Sequence, residues 1–438
     1  MVVGGRVHWV ARVPGTSSLY CTHWGFLLSR HRVVQYCSVV FLWLGAHWPA
    51  GCRHPGCWSL GCWLPSTIMP TFLQLSHGPS MGLYWKHQLG HLVPNRVLIV
   101  RLSAIGDCVL TLPLAVEVKK LWPQCHLTWA VSCGARQILA EHESVDEVLE
   151  IPRRWLKSTE AWLDVRRQLR SRRFDLVLDP QGLTKSALIA WLTRAQVRLG
   201  FNRTQAREIA PFLYTHRVAR TKRHMVDTFL ELLRPWQELP NGGGEFRMPV
   251  FPEAAAAVEQ WLHQQRLGDR WVALNPGAGW PTKQWPPERF GILARELYRL
   301  QRIRSVVFWG TEDERLLAQI AVEESEGAAR LAPDCCLLEL TEFLRRSTLM
   351  VCGDTGPLHL ASAVGAPAVS LHGPTWSDEV GPYGNLHYAI QSNVPVPSRR
   401  FKRRGPPYSM LAIELSEVLQ GCLQVLEQRP ASSIAPAA

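Results

Sequence analysis

The chain has 438 residues and a formal net charge of +12, and half of that excess lies in residues 1–94, which contain no Asp or Glu. The remaining chain is long enough for two ordinary domains and is only mildly basic. This balance favours an acidic substrate or an anionic membrane surface over dedicated nucleic-acid binding, so no nucleic-acid partner is expected.

Residues 1–94 are unusually rich in Trp, Cys and His, and three interpretations compete. Residues 33–48 resemble a signal or anchoring segment, but they are shorter than a membrane span of about 20 residues, and no clean cleavage site follows. A metal site is a second interpretation, although its four residues lack the usual zinc spacing: Cys52, His54, Cys57 and Cys62. We favour a third, in which translation starts near Met69 or Met81 and the segment is disordered or poorly packed if it is made.

The first ordinary α/β pattern is an apolar run at residues 96–102, followed by Ser-Ala-Ile-Gly-Asp at residues 103–107. The run predicts a buried parallel strand, and residues 108–121 have helical spacing. The turn between them would lie at the carboxyl end of the strand, where α/β folds bind ligands. Gly106 would let the backbone approach a ligand there. Asp107 would either cap the helix or accept a proton from a bound hydroxyl, and position alone favours capping.

Strand and helix patterns then alternate, which predicts a parallel sheet covered by helices. The predicted strands are residues 127–131, 147–151 and 174–179, and the predicted helices are residues 135–142 and 158–172. Basic clusters occur at residues 153–157, at Lys185 and at residues 203–208. Any one of these basic residues could simply lie on a solvated surface. Three clusters at strand ends of one sheet suggest more, because the loops at one edge of a sheet converge on the same crevice. Lys and Arg in such loops suit carboxylate or phosphate recognition.

A turn-rich stretch at residues 239–245 predicts a domain boundary. The second domain repeats the plan, with predicted strands at residues 271–275, 305–309, 348–352 and 367–372 and predicted helices at residues 286–301, 312–324 and 338–346. A last helix is predicted at residues 409–428, after the basic loop 399–404. The tail, residues 430–438, is expected to be disordered. Cysteines outside the first 94 residues lie mostly in apolar segments without paired spacing, which is typical of a reducing compartment.

Two motifs of the second domain suit phosphate binding. NPGAGWPTKQWP at residues 275–286 ends a strand in small residues whose N–H groups can approach phosphate oxygens, and Lys283 adds a positive charge. CGDTGPLHL at residues 352–360 turns a strand into a helix. Four residues there have N–H groups at the positive end of the helix: Thr355, Gly356, Leu358 and His359. Asp354 and its neighbour also suit a helix cap, and capping can coexist with binding.

Together these stretches resemble the lipopolysaccharide heptosyltransferase I family within glycosyltransferase family 9, over about residues 95–395. The acceptor-side likeness rests on IPRRWLK (151–157), DPQGLTKSAL (179–188), LGFNRTQAREIAPFLYTHRV (199–218) and HMVD (224–227). The donor-side likeness rests on PGA…K-x-W-P (276–286), GDTGxxHLA (353–361) and HGPT (372–375).

The resemblance implies an α/β protein with the GT-B fold, in which two Rossmann-like doubly wound domains face a cleft and a C-terminal helix crosses back onto the first domain. The implied organisation is an N-terminal extension (1–94), an acceptor-binding domain (95–250), a sugar-nucleotide-binding domain (251–404), and a crossover helix with a disordered tail (405–438).

The implied activity is inverting transfer of heptose from ADP-L-glycero-β-D-manno-heptose to the Kdo of Kdo-lipid A, by a cytoplasmic protein held peripherally on the anionic inner membrane. An alternative is a family 9 enzyme with a different donor or acceptor. A binding module without activity is disfavoured because Asp107, Lys283 and Asp354 are all present. A dinucleotide oxidoreductase is disfavoured because no G-x-G-x-x-G follows the first strand. No Asp-x-Asp clamp accompanies the motifs, so neither a metal nor another cofactor is expected.

The resemblance also assigns site residues. Asp107 would be the catalytic base, and Lys283 would stabilise the leaving diphosphate. The donor would be bound by Ala278, Gly279, Lys283, Asp354, Thr355, Gly356, Leu358 and His359, with Glu312 or Glu314 on the ribose hydroxyls. The acceptor would be bound by Ser103, Gly106, Arg153, Arg154, Lys157, Gln181, Lys185 and Arg207.

Overall fold

A computed structural model describes residues 89–132, 134–202, 209–395, 403 and 405–428. The first 88 residues, the tail and Arg207 lie outside the described residues. The interpretations of residues 1–94 and of residues 430–438 therefore stay predictions.

The first half of the described chain alternates strands with helices. Its strands are β1 (Arg96–Val100), β2 (His126–Val131), β3 (Glu147–Glu150), β4 (Leu176–Leu178), β5 (Val197–Phe201) and β6 (His216–Val218). Its helices are α1 (Ile105–Leu121), α2 (Arg136–Ala140), α3 (Thr159–Ser171), α4 (Thr184–Thr193), α5 (Ala210–Leu213) and α6 (Met225–Leu230). Short 3₁₀ turns occupy Trp155–Lys157 and Glu231–Leu233.

The second half repeats this alternation. Its strands are β7 (Trp271–Asn275), β8 (Arg304–Val307), β9 (Ala329–Leu331), β10 (Leu349–Gly353), β11 (Ala368–His372) and β12 (His387–Gln391). Its helices are α7 (Pro252–Gln264), α8 (Pro287–Gln301), α9 (Glu312–Glu324), α10 (Leu337–Arg346), α11 (Gly356–Ala363), α12 (Ser377–Val380), α13 (Tyr408–Leu411) and α14 (Leu415–Glu427). A 3₁₀ turn lies at Pro281–Lys283.

The strands form two six-stranded sheets, ordered β3-β2-β1-β4-β5-β6 and β12-β11-β10-β7-β8-β9. Neighbouring strands run parallel throughout, for example with Ile99 opposite Leu178 and Val351 opposite Leu274. Read from the first strand of each half, the two sheets have the same order, that of a doubly wound Rossmann-like fold. The predicted α/β architecture with two such sheets is confirmed.

Four strands, β5, β6, β9 and β12, were not predicted from the sequence. Three of them, β6, β9 and β12, are edge strands, and they are short or partly exposed and contain polar residues. The fourth edge strand, β3, was predicted, and the missed β5 lies inside its sheet. The buried strands that were predicted are continuous apolar runs because both of their faces are covered by helices.

The C-terminal helix differs from its prediction in two respects. It is interrupted at residues 412–414, where the carbonyl oxygen of Ile413 accepts hydrogen bonds from Trp285 Nε1 at 3.0 Å and Arg289 Nη1 at 2.6 Å. The following helix, α14, packs on the second sheet and α8, where Val418 and Cys422 join an apolar cluster with residues of β7 and β10. The expected crossover onto the first domain is therefore corrected: this helix completes the second half.

One apolar cluster runs from the first sheet into the second half, and α1 packs directly on α11. Helix α1 is apolar on nearly every side and is buried over most of its length, as expected for a helix enclosed within a core. The first turn of α1 lies against the first turn of α11. Within the described residues, no helix is both long and apolar enough to cross a bilayer.

Candidate active site

Several predicted site residues lie where each strand order reverses. In doubly wound sheets, ligands bind beyond the carboxyl ends of the two strands at this switch point. The strands there are β1 and β4 in the first sheet, and β7 and β10 in the second. The four segments that directly follow these strands carry Asp107, Gln181, Lys283 and Asp354.

Lys283 and Asp354 form a buried ion pair on the donor half. Lys283 Nζ lies 2.6 Å from Asp354 Oδ2, and their side chains are 14% and 8% exposed. His359 Nε2 lies 3.4 Å from Asp354 Oδ1. Although burial by itself raises the pKa of Asp354, the hydrogen bond to His359 and the Lys283 ammonium hold that pKa well below its usual range. Asp354 is therefore a carboxylate at neutral pH.

Two histidines in this half have a buried ring nitrogen without a partner. His359 Nδ1 and His372 Nδ1 are both buried and have no hydrogen-bond partner among the described residues. Burial lowers the pKa of His372 to about 4, so that ring is neutral at pH 7. Buried polar atoms normally have partners, so these two atoms are exceptions within the donor half.

In the loop after β7, the Trp280 ring contacts two cationic side chains. Lys283 Nζ lies 4.4 Å, and Arg403 Cζ 4.8 Å, from the centroid of the Trp280 ring. Such cation–π contacts stabilise by about 0.5–2 kcal/mol each. Two cations thus converge on the loop that is predicted to bind a diphosphate.

The starts of α1 and α11 meet at the junction of the two halves. A methyl group built on Gly106 would lie 2.5 Å from His359 Cδ2, and 3.3 Å from the Cα of Gly356. Only glycine permits this approach. The predicted base, one residue after Gly106, is thereby brought close to the predicted diphosphate-binding helix start.

Asp107 lies in the first turn of α1 and is partly exposed. Its Oδ2 accepts a hydrogen bond from the Ala104 N–H at 3.2 Å and lies 2.9 Å from Arg101 Nη2, the Asp107 side chain being 42% exposed. Asp107 therefore caps the helix, as its position alone suggested. Because only one carboxylate oxygen is used in these contacts, capping leaves the other for a bound hydroxyl.

The loop after β4 is organised by a buried carboxylate, Asp179. Its oxygens accept hydrogen bonds from the N–H groups of Gln181 at 2.9 Å and Gly182 at 3.0 Å, and from the Tyr214 hydroxyl at 2.7 Å. The Gln181 side chain in turn accepts the Leu102 N–H at 2.8 Å. Complete burial raises the pKa of Asp179 to about 6, although these donors oppose the rise.

This raised pKa predicts a pH-dependent stability. As the pH rises from 3.8 to about 6, the folded chain binds the proton more tightly than the unfolded chain, so the free energy of unfolding falls. The wild type should lose on the order of 3 kcal/mol of unfolding free energy over this pH range, at about 1.4 kcal/mol per pKa unit. The Asp179→Asn variant has no carboxyl group at this position and should not show this loss. Urea unfolding of both proteins at pH 4 and pH 7 measures the difference. The control is Asp164→Asn, at a half-exposed position on α3, whose stability should change with pH as that of the wild type does. The same pH dependence in Asp179→Asn would contradict the prediction.

The two candidates for a ribose-binding carboxylate differ in position. Glu314 accepts the Gly310 N–H through Oε2 at 2.9 Å, and a methyl group on Gly277 would lie 2.6 Å from its carboxyl carbon. Glu314 therefore lies against the loop after β7. The Glu312 side chain is 78% exposed and pairs with Arg315 on its own helix. Only Glu314 is close to the loops of the switch point.

The remaining predicted residues fall into two groups. Ala278 and Leu358 are buried, and Gly279 is exposed in the donor loop, while Thr355 and Gly356 begin α11. The predicted acceptor residues that are exposed are Ser103, Arg153, Arg154, Lys157 and Lys185. The arginines and Lys157 follow β3, two strands from β1. They share the carboxyl edge of the sheet but are not brought into contact with Asp107.

Arg101 contacts a predicted site residue, Asp107, and was not singled out from the sequence. The only signal was a charged residue at the end of an apolar run that leads into the turn of Asp107. Sequence alone could not distinguish it from a surface residue, because its pairing with Asp107 depends on how the turn folds back. No cluster of three or more His, Cys, Asp or Glu side chains suited to a metal ion occurs in the part of the chain that the structure describes.

Comparison with known proteins identifies the family. The family model for glycosyltransferase family 9 (heptosyltransferase) matches residues 162–408. The chain belongs to glycosyltransferase family 9. This family 9 enzyme is 30% identical to lipopolysaccharide heptosyltransferase 1 of Salmonella typhimurium over 316 residues, which cover 68% of this chain and 94% of that protein. It is also 30% identical to lipopolysaccharide heptosyltransferase 1 of Pseudomonas aeruginosa over 318 residues, covering 68% and 84% of the two chains.

Solved structures give the same result for the fold. The E. coli heptosyltransferase WaaC with ADP-2-deoxy-2-fluoro heptose superposes with a TM-score of 0.59 at 25% identity, covering 75% of this chain and 99% of that chain. A family 9 glycosyl transferase from Veillonella parvula superposes with a TM-score of 0.66 at 23% identity, covering 76% and 98%. The family 9 enzyme is therefore a glycosyltransferase with two Rossmann-like domains, as its sequence motifs implied.

Proposed function

We propose that this enzyme transfers heptose from ADP-L-glycero-β-D-manno-heptose to the Kdo of Kdo-lipid A, with inversion at the anomeric carbon. The observation that carries this proposal is the meeting of the two helix starts, where Gly106, the residue before Asp107, lies against Gly356 and His359 of α11. The relatives named lipopolysaccharide heptosyltransferase 1 support heptose as the sugar and lipopolysaccharide as the class of acceptor.

In the proposed reaction, Asp107 removes the proton from the attacking acceptor hydroxyl. The hydroxyl oxygen bonds to the anomeric carbon while the bond from that carbon to the phosphate oxygen breaks, so ADP leaves from the opposite face. Lys283 and the N–H groups at the start of α11 stabilise the charge that grows on the diphosphate. Since these groups supply the positive charge, we propose that transfer needs no metal or other cofactor.

The acceptor is proposed to approach along the carboxyl edge of the first sheet. Its anionic groups suit the exposed Arg153, Arg154, Lys157 and Lys185, and Arg207 is a candidate from sequence alone. Peripheral contact with an anionic membrane is part of the proposal. Its support is a pair of exposed apolar side chains at α5, Ile209 and Phe212, which are 50% and 62% exposed and which follow a basic segment in the sequence.

Glu314 is proposed to bind the ribose hydroxyls of the donor. Glu314→Gln should raise the KM for the ADP-sugar roughly 10-fold, because a hydrogen bond to a charged group contributes about 1.5–3 kcal/mol. Steady-state kinetics at saturating acceptor measure this change. Glu312→Gln, at the exposed neighbouring candidate, should alter KM less than about 2-fold. The opposite ranking would transfer the role to Glu312.

The proposal is tested by measuring ADP release from the full chain with ADP-heptose and Kdo-lipid A together and with each alone. The acceptor is presented both in detergent and in anionic vesicles, so that a faster rate on vesicles supports membrane contact. Turnover that requires both substrates supports the proposal. A folded protein that binds ADP but does not turn over would remove the substrate assignment. Other ADP- and UDP-sugars would then be tested, because a different donor or acceptor is the alternative for a family 9 enzyme.

A further inference from the structure

Arg101 is a buried cation directly beside the predicted base. Its side chain is 6% exposed, and its Nη2 lies 2.9 Å from Asp107 Oδ2. Its Nη1 donates a hydrogen bond to the carbonyl oxygen of Pro180 at 3.2 Å. One guanidinium group therefore contacts both the turn after β1 and the loop after β4.

The position of Arg101 is fixed from several directions. Its guanidinium carbon lies 5.0 Å from the centroid of the Phe229 ring. Its backbone N–H donates to Ala130 O at 3.2 Å, and its carbonyl oxygen accepts from Trp129 Nε1 at 3.2 Å. These contacts place the backbone and the guanidinium group of Arg101, whose Nε has no partner among the described residues, and a planar fork loses little freedom per hydrogen bond that it forms.

The Arg101–Asp107 pair contributes little to stability. Asp107 is 42% exposed, and a pair with one solvated partner contributes only about 0–1 kcal/mol to stability. Burying an arginine, in contrast, has a desolvation cost that such a pair does not offset. What the pair does provide is a fixed orientation for the carboxylate.

We infer that Arg101 is a positioning residue for Asp107: it holds Oδ2, so that Oδ1 is left in a fixed place to accept the proton of the acceptor hydroxyl. The inference rests on the proposed function, since it takes Asp107 as the base. Through Pro180, Arg101 also ties the base to the loop of Gln181, which is proposed to contact the acceptor. Arg101 thus sets the distance between Asp107 and the loop of Gln181.

The test compares Arg101→Met and Arg101→Lys with the wild type in the ADP-release assay. Arg101→Met should lower kcat about 10- to 100-fold, the effect of a small misplacement of a reacting group. It should leave ADP affinity and the KM for the donor unchanged. Arg101→Lys, which keeps the charge, should recover part of the lost kcat. A control is Arg198→Met, a half-buried arginine of β5 that bonds to backbone oxygens of Leu213 and Ala195, and it should keep the wild-type kcat.

A double variant distinguishes positioning from a general structural effect. If Arg101 acts through Asp107, then Arg101→Met combined with Asp107→Asn is no slower than Asp107→Asn alone. A further loss in the double variant, or a normal kcat for folded Arg101→Met, overturns the inference. The two proposals fail separately. Normal turnover by Asp107→Asn removes the base itself, whereas an inactive Asp107→Asn with a normal Arg101→Met removes only the positioning role.

Discussion

Asp107→Asn is expected to lower kcat by about 10²–10⁴-fold, the usual contribution of a positioned general base. The amide has the shape of the carboxylate and can still accept the Ala104 N–H, so α1 keeps its cap. It has no basic oxygen for the acceptor proton. ADP binding should be unchanged, because the proposed donor contacts come from the second half. Single-turnover rates and ADP titration of the same protein measure the two quantities.

The matched control for Asp107→Asn is Glu253→Gln. Glu253 is an exposed carboxylate in the first turn of α7, so this change also removes a negative charge from a helix start. It should leave kcat at the wild-type value. If Asp107→Asn turns over at a near-normal rate, Asp107 serves only as a helix cap and the proton must have another acceptor.

Lys283→Met is expected to reduce both activity and stability. Loss of the charge opposite the leaving diphosphate should lower kcat/KM by about 10²–10³-fold. The change also leaves the buried Asp354 without its cation, which costs about 3–5 kcal/mol of folding free energy. Since the pKa of Asp354 is depressed in the folded protein, the wild type has this stabilisation at neutral pH and loses it as the pH falls through the folded pKa. The difference between wild type and variant should therefore shrink in acid.

Combining Lys283→Met with Asp354→Asn separates the two effects. The double variant has no unpaired buried charge, so denaturant unfolding should show stability restored towards the wild type while kcat/KM stays low. Recovery of activity along with stability would reduce Lys283 to a structural role. Arg295→Met is the control, since Arg295 pairs with Glu326 at 2.5 Å with side chains 38% and 69% exposed. It should cost less than about 1 kcal/mol and no activity.

The contrast between predicted and missed elements has a physical basis. Central strands such as β1 and β10 are apolar on both faces and are therefore recognisable as continuous runs. Edge strands such as β6 and β12 are stabilised by pairing with a neighbour, which leaves no distinctive pattern in their own residues. The path of the last helix depended on where the Ile413 carbonyl finds its donors, a tertiary contact that helical spacing cannot encode.

The candidate site divides in a similar way. The loops that carry Asp107, Lys283 and Asp354 were predicted because glycine-rich turns after strands have a local signature. The pairing of Arg101 with Asp107 and the choice between the two ribose candidates required the folded chain. Both results depend on which segments of the chain meet in the folded protein. The spacing of residues within one segment does not contain that information.

The shared strand order of the two sheets relates their buried aspartates. Asp179 directly follows the fourth strand of its half, and Asp354 directly follows the fourth strand of the other. The first has a phenol, Tyr214, as its partner, and the second has an ammonium group, Lys283. The two halves are thus two copies of one structural plan, and under the proposed function the change of partner at one equivalent position adapts the second copy to a phosphorylated ligand.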